Sequence, residues 1–239
     1  MAVTTMSVVL LHGLASSHRI WERVIPLLGE DCDALALDLI GGQPVDAEAA
    51  AVIERLDRPA VLAGHSLGGL VATAVAEARL DLVRRLVLVN SPPTAASRLT
   101  ANAGPERVMK LPLLGQVLWT LASDNQLRRG ARSGVAPGAR VPDVLVEDVR
   151  ATSHRAFVGS TRAADAYLGA RSLHDRVGAL PIPVDVVFGL EDQRVARSSL
   201  DGYDRLGNVT VTRIPGVGHS PPLEAPQAVA DVLRAATRG

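Results

Sequence analysis

The chain has 239 residues, of which 47% are hydrophobic and 21% are charged, and its 25 basic and 25 acidic side chains give a formal net charge of zero. A chain of this length and apolar content buries a substantial core and is not intrinsically disordered. The balanced charge gives no indication of a nucleic-acid partner or of an anionic membrane surface as a partner.

The start of the chain predicts a cytoplasmic protein. Residues 1–7 are too short and too polar for a signal peptide, and the first apolar run is only Val8–Leu11. No segment approaches the ~20 apolar residues of a membrane span. Cys32 is the single cysteine, which excludes an intrachain disulfide, and we interpret it as a partly buried residue at a strand edge.

Short apolar runs alternate with helix-like stretches along most of the chain. The predicted strands are Val8–Leu11, Ala34–Asp38, Ala60–Ala63, Leu86–Val89, Val184–Phe188 and Val209–Ile214. The predicted helices of the core are Arg19–Leu28, Asp46–Leu56, Leu67–Arg79, Ala196–Arg205 and Pro226–Thr237. Strands without polar alternation are typical of a parallel sheet covered on both faces. We predict an α/β fold with a doubly wound, mostly parallel sheet of about six strands.

One interval contains no strand-like run of comparable strength. Residues 94–171 instead offer helical pieces at Val108–Leu121, Val144–Thr152 and Ala156–Leu168, with the polar tract Ser123–Arg129 interpreted as a solvated loop. An insertion of this size exceeds what a connection between two strands needs. We therefore predict a core made of residues 1–93 and 172–239 and a helical cap, or lid, made of residues 94–171.

The strongest chemical motif is Gly64-His65-Ser66-Leu67-Gly68, directly after a predicted strand and directly before a predicted helix. This is G-x-S-x-G in the context of a sharp strand-to-helix turn, which aims the serine side chain into a cleft. The simpler interpretation is that Ser66 only caps the helix that follows.

Two further motifs follow the last two strands. His219, on a glycine-rich loop, is suited to take the proton of a serine hydroxyl, which is a weak nucleophile without a base. Asp192 would orient the imidazole and stabilise its cationic form. Asp192 is also a candidate cap for the next helix, and Glu191 is the competing acid.

With His12-Gly13-Leu14 after the first strand, these motifs resemble the α/β-hydrolase superfamily, in particular its lid-bearing esterase and lipase-like members. The order Ser66, Asp192, His219 is the order that this fold uses for its triad. The resemblance implies that the backbone N–H groups of Leu14 and Leu67 form an oxyanion hole, in which removal of one donor typically costs ~10²–10³ in rate.

Other side chains are weaker candidates for the site. We place His12 and His65 beside the substrate pocket, chiefly as packing or hydrogen-bonding residues. Trp119 and Phe157, in the apolar part of the predicted lid, are candidate pocket residues, although such residues often serve only to pack an insertion onto the body. No residues show metal-ligand spacing or a nucleotide-binding pattern, so we expect neither a metal nor another cofactor.

The first functional hypothesis is hydrolysis of a carboxylic ester or thioester of a small, largely apolar substrate through an acyl-enzyme. The alternative is a non-hydrolytic or C–C bond-acting enzyme of the same fold, which resembles enzymes of menaquinone synthesis, aromatic-ring breakdown or natural-product tailoring. A non-catalytic relative is disfavoured because every triad position is present. In each case the expected partner is a small molecule, and the oligomeric state is left open.

Overall fold

A computed structural model of the chain describes residues 6–30, 32–100 and 104–238. Its six strands are β1 Met6–Leu11, β2 Cys32–Leu37, β3 Ala60–His65, β4 Val83–Val89, β5 Val184–Gly189 and β6 Val209–Ile214. They form one sheet in the order β2-β1-β3-β4-β5-β6, in which every neighbouring pair is parallel. This confirms the predicted fold class and strand number.

The order of the strands reverses between β1 and β3. The chain crosses from β1 to β2 on one side and then places β3 on the other side of β1. In an open α/β sheet, the loops that follow such strands diverge and leave a crevice at the carboxyl edge, where ligands bind. The His12-Gly13-Leu14 and Ser66 motifs follow these two strands, so the topology brings them together.

Helices cover both faces of the sheet. Their bounds are α1 Val45–Ile53, α2 Leu67–Ala78, α3 Gly104–Met109, α4 Leu114–Thr120, α5 Asp124–Ala131, α6 Asp143–Ala151, α7 His154–Ala170, α8 Leu173–Gly178, α9 Pro221–Glu224 and α10 Pro226–Arg238. One core cluster joins the sheet to α1, α2, α8 and the second half of α7. The cluster on the opposite face joins it to α10 and to residues 20–28. Alternate residues of β1 belong to different clusters, Val9 and Leu11 to one, Val8 and Leu10 to the other.

Two predicted helices of the core are wrong in type. The predicted helix Arg19–Leu28 is two short 3₁₀ turns, His18–Trp21 and Ile25–Leu27. Pro26 lies within the second turn, and because proline lacks an N–H it cannot donate to Glu22 O as a continuous α-helix would require. The predicted helix Ala196–Arg205 is the 3₁₀ segment Arg197–Arg205.

Within residues 94–171, α6 and α7 match the predicted helices Val144–Thr152 and Ala156–Leu168, and two other predictions differ from the structure. Val108–Leu121 is interrupted at Pro112, with α3 before it and α4 after it, and Leu113 has a φ of 54°. The tract Ser123–Arg129 is not a loop but belongs to α5. Ser123 and Gln126 form a reciprocal capping box at its start, which offsets the low hydrophobicity of the segment.

The apolar stretch around α4 faces outward. Its large side chains are 40–79% exposed: Leu111, Leu113, Leu114, Val117, Leu118 and Leu121. These side chains therefore do not pack the insertion onto the body. No helix in the described part of the chain is long and apolar enough to span a bilayer.

Candidate active site

The turn between β3 and α2 holds Ser66 in a strained conformation, with φ 53° and ψ −116°. A non-glycine residue with positive φ costs energy unless its surroundings fix it, and here the Ser66 N–H donates to Val89 O at 2.8 Å. The Ser66 side chain makes no capping hydrogen bond to α2. Its Oγ lies 3.0 Å from His219 Nε2. The interpretation of Ser66 as only a helix cap is therefore wrong.

The glycines of this turn are required by close backbone contacts. A Cβ at Gly64 would lie 2.2 Å from Gly68 O, and a Cβ at Gly68 would lie 2.5 Å from His12 O. Both distances are shorter than any real Cβ contact, so a side chain would push the turn apart. The two glycines allow β1, β3 and α2 to meet directly below Ser66.

His219 lies between Ser66 and Asp192 and is almost fully buried. Its Nδ1 is 2.8 Å from Asp192 Oδ2, and the exposed side-chain fractions of the two residues are 3% and 0%. A carboxylate only accepts, so Nδ1–H donates to it and Nε2 is left to accept the Ser66 hydroxyl proton. The backbone of His219 is fixed as well, because His65 Nε2–H donates to His219 O at 2.7 Å.

Both oxygens of Asp192 are saturated with donors. Oδ1 accepts from the N–H groups of Arg194 at 2.7 Å and Val195 at 3.1 Å, and Oδ2 accepts from Asn90 Nδ2 at 2.6 Å as well as from His219. Burial raises the pKa of Asp192, but His219 and these hydrogen bonds outweigh it and hold the pKa below its usual value. The carboxylate is thus charged and directed at His219, whereas Glu191 is exposed.

Asn90 and Glu224 also hold the site, and sequence reasoning missed both. Asn90, fully buried at the end of β4, joins the Asp192 carboxylate to Gly189 N and Gly218 O. The Glu224 carboxylate accepts from the N–H groups of Gly218, Ser220 and Ala136. The only local signals were their positions directly after a strand and within the His219 loop.

A small cavity of about 60 Å³ opens beside Ser66 Oγ. Leu14, Leu67 and His219 line it together with Ser66. Leu67 is the first residue of α2, where a helix leaves its N–H groups without intrahelical partners. The two backbone positions expected to hold an oxyanion therefore lie at the same cavity as the hydroxyl group.

The four weaker candidates do not line this cavity. His12 is buried, and its hydrogen bonds are those of a neutral imidazole. Its Nδ1–H donates to Gly13 O at 2.8 Å, and its Nε2 accepts from Leu39 N at 2.9 Å. It braces the loop that carries Leu14, and burial lowers its pKa. His65 lies under His219, and burial lowers its pKa to about 3.

Trp119 and Phe157 stack on each other in the insertion, with ring centroids 4.6 Å apart. Trp119 lines a second cavity, between α4, α5, the end of α6 and the start of α7, and its Nε1–H donates to Thr152 O at 2.8 Å. The prediction that Trp119 and Phe157 line the pocket beside Ser66 is therefore wrong.

The cavity beside Ser66 is partly charged. Arg98, Glu106 and Arg194 contribute to its wall, together with Thr100 and Ser160. In the described residues, no group of three or more His, Cys, Asp or Glu side chains is arranged to hold a metal ion.

Three features together define an α/β hydrolase. They are the parallel sheet whose strand order reverses beside β1, the strained serine turn after β3, and the chain of hydrogen bonds that joins serine, histidine and aspartate. The chain belongs to the alpha/beta hydrolase family, whose model matches residues 8–232.

Its curated relatives include pimeloyl-(acyl-carrier protein) methyl ester esterases from Neisseria meningitidis. The serogroup C protein is 31% identical over 203 residues, which cover 77% of this chain and 75% of that protein. The serogroup A protein is 30% identical over 203 residues, which also cover 77% of this chain but 61% of that protein's length.

Solved structures share the fold at lower identity. A meta-cleavage product hydrolase from Pseudomonas fluorescens superposes with a TM-score of 0.77 at 20% identity, covering 98% of this chain and 90% of its own. A thermophilic esterase from Thermogutta terrifontis superposes with a TM-score of 0.74 at 21% identity, with coverages of 98% and 90%. These two likenesses concern the fold.

Proposed function

We propose that this chain is a serine hydrolase of carboxylic esters or thioesters, in which Ser66 is the nucleophile, His219 the general base and acid, and Asp192 the group that orients His219. One observation carries the proposal. Ser66 Oγ lies 3.0 Å from His219 Nε2, and His219 Nδ1 lies 2.8 Å from Asp192 Oδ2, so the three side chains form a continuous chain of hydrogen bonds. The names of the curated relatives, methyl ester esterases, support the ester class.

The reaction follows from the donors and acceptors. Ser66 Oγ attacks the ester carbonyl carbon while its proton passes to His219 Nε2, and the amides of Leu14 and Leu67 stabilise the oxyanion. The tetrahedral intermediate then expels the alcohol or thiol, which takes the proton from Nε2 and leaves an acyl group on Ser66. A water molecule then gives a proton to Nε2 and attacks the acyl carbon. The second tetrahedral intermediate expels Ser66 Oγ, which takes that proton back from Nε2 as the acid leaves.

Residues 94–171 act in this proposal as a cap over the carboxyl edge of the sheet. Two contacts support this role. Gln193 Nε2 donates to Val135 O at 2.9 Å, and Ala136 N donates to the Glu224 carboxylate at 2.7 Å. The insertion therefore touches the loops that carry both Asp192 and His219.

Turnover of 4-nitrophenyl acetate and butyrate tests the proposal. We expect hydrolysis by the wild type and a loss of about 10⁴-fold or more in kcat for Ser66→Ala, because the nucleophile cannot be replaced. Ser198→Ala, which changes an exposed serine away from the cavity, is the matched control and should retain full activity. A folded wild type that hydrolyses neither ester, or a Ser66→Ala variant as active as the wild type, would overturn the proposal.

A further inference from the structure

The cavity beside Ser66 contains an arginine whose backbone is held on both sides. Arg194 N donates to Asp192 Oδ1 at 2.7 Å, and Arg194 O accepts from Leu99 N at 2.8 Å. The segment around Arg98 pairs in antiparallel fashion with Val195. The start of the Arg194 side chain is therefore fixed by the same loop that fixes Asp192.

In the described part of the chain, the guanidinium of Arg194 has one hydrogen-bond partner, which is neutral. Its Nε donates to Ser133 Oγ at 3.0 Å, and no carboxylate in the described part of the chain lies within ion-pair distance of it. The Asp192 carboxylate, which lies two positions before Arg194 in the sequence, is fully occupied by His219, Asn90 and two backbone N–H groups. Arg194 lines the cavity with donors left to use.

The other charged groups of the wall neutralise one another. Arg98 pairs with Asp165 and lies 3.6 Å from Glu106 Oε1. Lys110 Nζ lies 3.1 Å from Glu106 Oε1 and 3.3 Å from Asp165 Oδ2. Two cations and two carboxylates thus lie within ion-pair distance of one another, with Glu106 Oε1 accepting no hydrogen bond from the described residues, and Arg194 lies outside this group.

A secluded cation without a carboxylate partner is costly. Burial lowers the pKa of Arg194, and the nearby carboxylates of Asp192 and Glu106 only partly oppose this. Arginine remains charged under such conditions, and its fork of N–H donors matches a carboxylate in a bidentate way. An anion that enters the cavity would supply the missing partner.

We propose that Arg194 binds a carboxylate carried by the substrate, so that the site prefers short esters that bear one negative charge over neutral esters of the same shape. This inference rests on the proposed function, and it replaces the expectation of a largely apolar substrate. Arg194 acts as a specificity-determining residue, and Ser133 holds its guanidinium from the side of the insertion.

Two pairs of isosteric esters separate charge from shape. Monomethyl succinate is compared with methyl 4-methylpentanoate, and 3-acetoxypropanoate with 3-methylbutyl acetate. In each pair an isopropyl group replaces the carboxylate. The replaced group belongs to the acyl half of the ester in the first pair and to the alcohol half in the second. The measurement is kcat/KM at pH 7 for all four esters.

Variants of Arg194 then test the residue itself. In at least one pair we expect the wild type to prefer the anionic ester, and we expect Arg194→Gln to lower that preference by about 10- to 100-fold, the value of hydrogen bonds to a charged group. Arg194→Lys keeps the charge without the fork and should retain part of the preference. Arg197→Gln changes an exposed arginine on the next segment and should leave the preference unchanged.

The outcomes separate this inference from the proposed function. Equal loss of both esters of each pair in Arg194→Gln would show a structural role and overturn the inference while leaving the hydrolase proposal intact. If the wild type hydrolyses none of the esters, calorimetric binding of monomethyl succinate and 3-acetoxypropanoate to Ser66→Ala decides. The inference is supported if either ester binds to Ser66→Ala and binds at least tenfold more weakly to Ser66→Ala/Arg194→Gln. It is overturned if neither ester binds to Ser66→Ala, or if the second substitution does not weaken binding.

Discussion

Asn90 Nδ2 lies 2.6 Å from Asp192 Oδ2, the same oxygen that accepts from His219 Nδ1 at 2.8 Å. The amide thus holds the carboxylate at the point where it meets the imidazole. Asn90 has a φ of 46°, a conformation that asparagine adopts more readily than most residues. Its backbone and its side chain are both suited to the end of β4.

Replacing this amide should reduce the rate of the reaction more than the binding of substrate. Asn90→Ala removes a donor from a buried carboxylate, an interaction worth about 1.5–3 kcal/mol. We expect kcat to fall by about tenfold or more while KM changes little. Steady-state kinetics with 4-nitrophenyl butyrate check this. Asn125→Ala, on the exposed side of α5, is the control, and an equal loss in both variants would refute the role of Asn90.

The Glu224 carboxylate should fix the loop of His219. It accepts from Gly218 N and Ser220 N, each at 3.1 Å, on either side of His219. Glu224→Ala leaves these N–H groups without their partner, and we expect kcat to fall about tenfold and thermal stability to decrease. Glu224→Gln keeps acceptor capacity and should lose less of both. Equal kcat for the wild type and Glu224→Ala would contradict this prediction.

Acid should destabilise the protein through His65. Burial lowers its pKa from 6.5 to about 3, so the folded state binds fewer protons than the unfolded state below pH 6.5. The contribution of His65 to the free energy of unfolding is therefore fully present above pH 6.5, and it is lost as the pH falls towards 3. By pH 4.5 this group alone should cost about 2–3 kcal/mol.

Urea unfolding at pH 7 and pH 4.5 measures the effect. His65→Gln cannot take up the proton, so its free energy of unfolding should fall less between the two values than that of the wild type. His18→Gln, at a half-exposed histidine, provides the comparison. The account of His65 is wrong if its replacement leaves the pH dependence unchanged.

Alanine at Gly64 should damage the fold of the turn. The added Cβ would lie 2.2 Å from Gly68 O, a backbone atom that cannot move without displacing α2. We expect a loss of about 3 kcal/mol or more, in the range of severe core mutations. Gly130→Ala is the matched control because no atom lies within 4 Å of its added Cβ, and alanine in α5 should raise stability by about 0.5–1 kcal/mol. Equal stability of the two variants, measured by denaturant unfolding, would contradict the prediction.

Local signals made the sheet and the serine turn predictable. Runs such as Val8–Leu11 are apolar without alternation because they are buried on both faces of the sheet. The Gly64–Gly68 motif is a local signal because all of its residues lie in one turn. Pro26 and Pro112 are local signals for the breaks in the predicted helices Arg19–Leu28 and Val108–Leu121. The capping box of Ser123 and Gln126 is a local signal for the start of α5.

The rest of the site depends on contacts between distant parts of the chain. Asn90 meets Asp192 across 102 positions, and Arg194 meets Ser133 across 61. No periodicity or spacing encodes such a pair, because it arises only when β4, β5 and the insertion converge at one edge of the sheet. Trp119 failed as a pocket residue for the same reason, since its apolar character did not specify which cavity it faces.

Mapping the adduct of a fluorophosphonate ester by mass spectrometry tests the central claim most directly, that Ser66 is activated by His219 and Asp192. Our account predicts one adduct per chain, on Ser66, formed within minutes in the wild type, absent in Ser66→Ala and at least about 100-fold slower in His219→Ala. Labelling of another serine, or equal labelling rates of Ser66 in the wild type and folded His219→Ala, would contradict it.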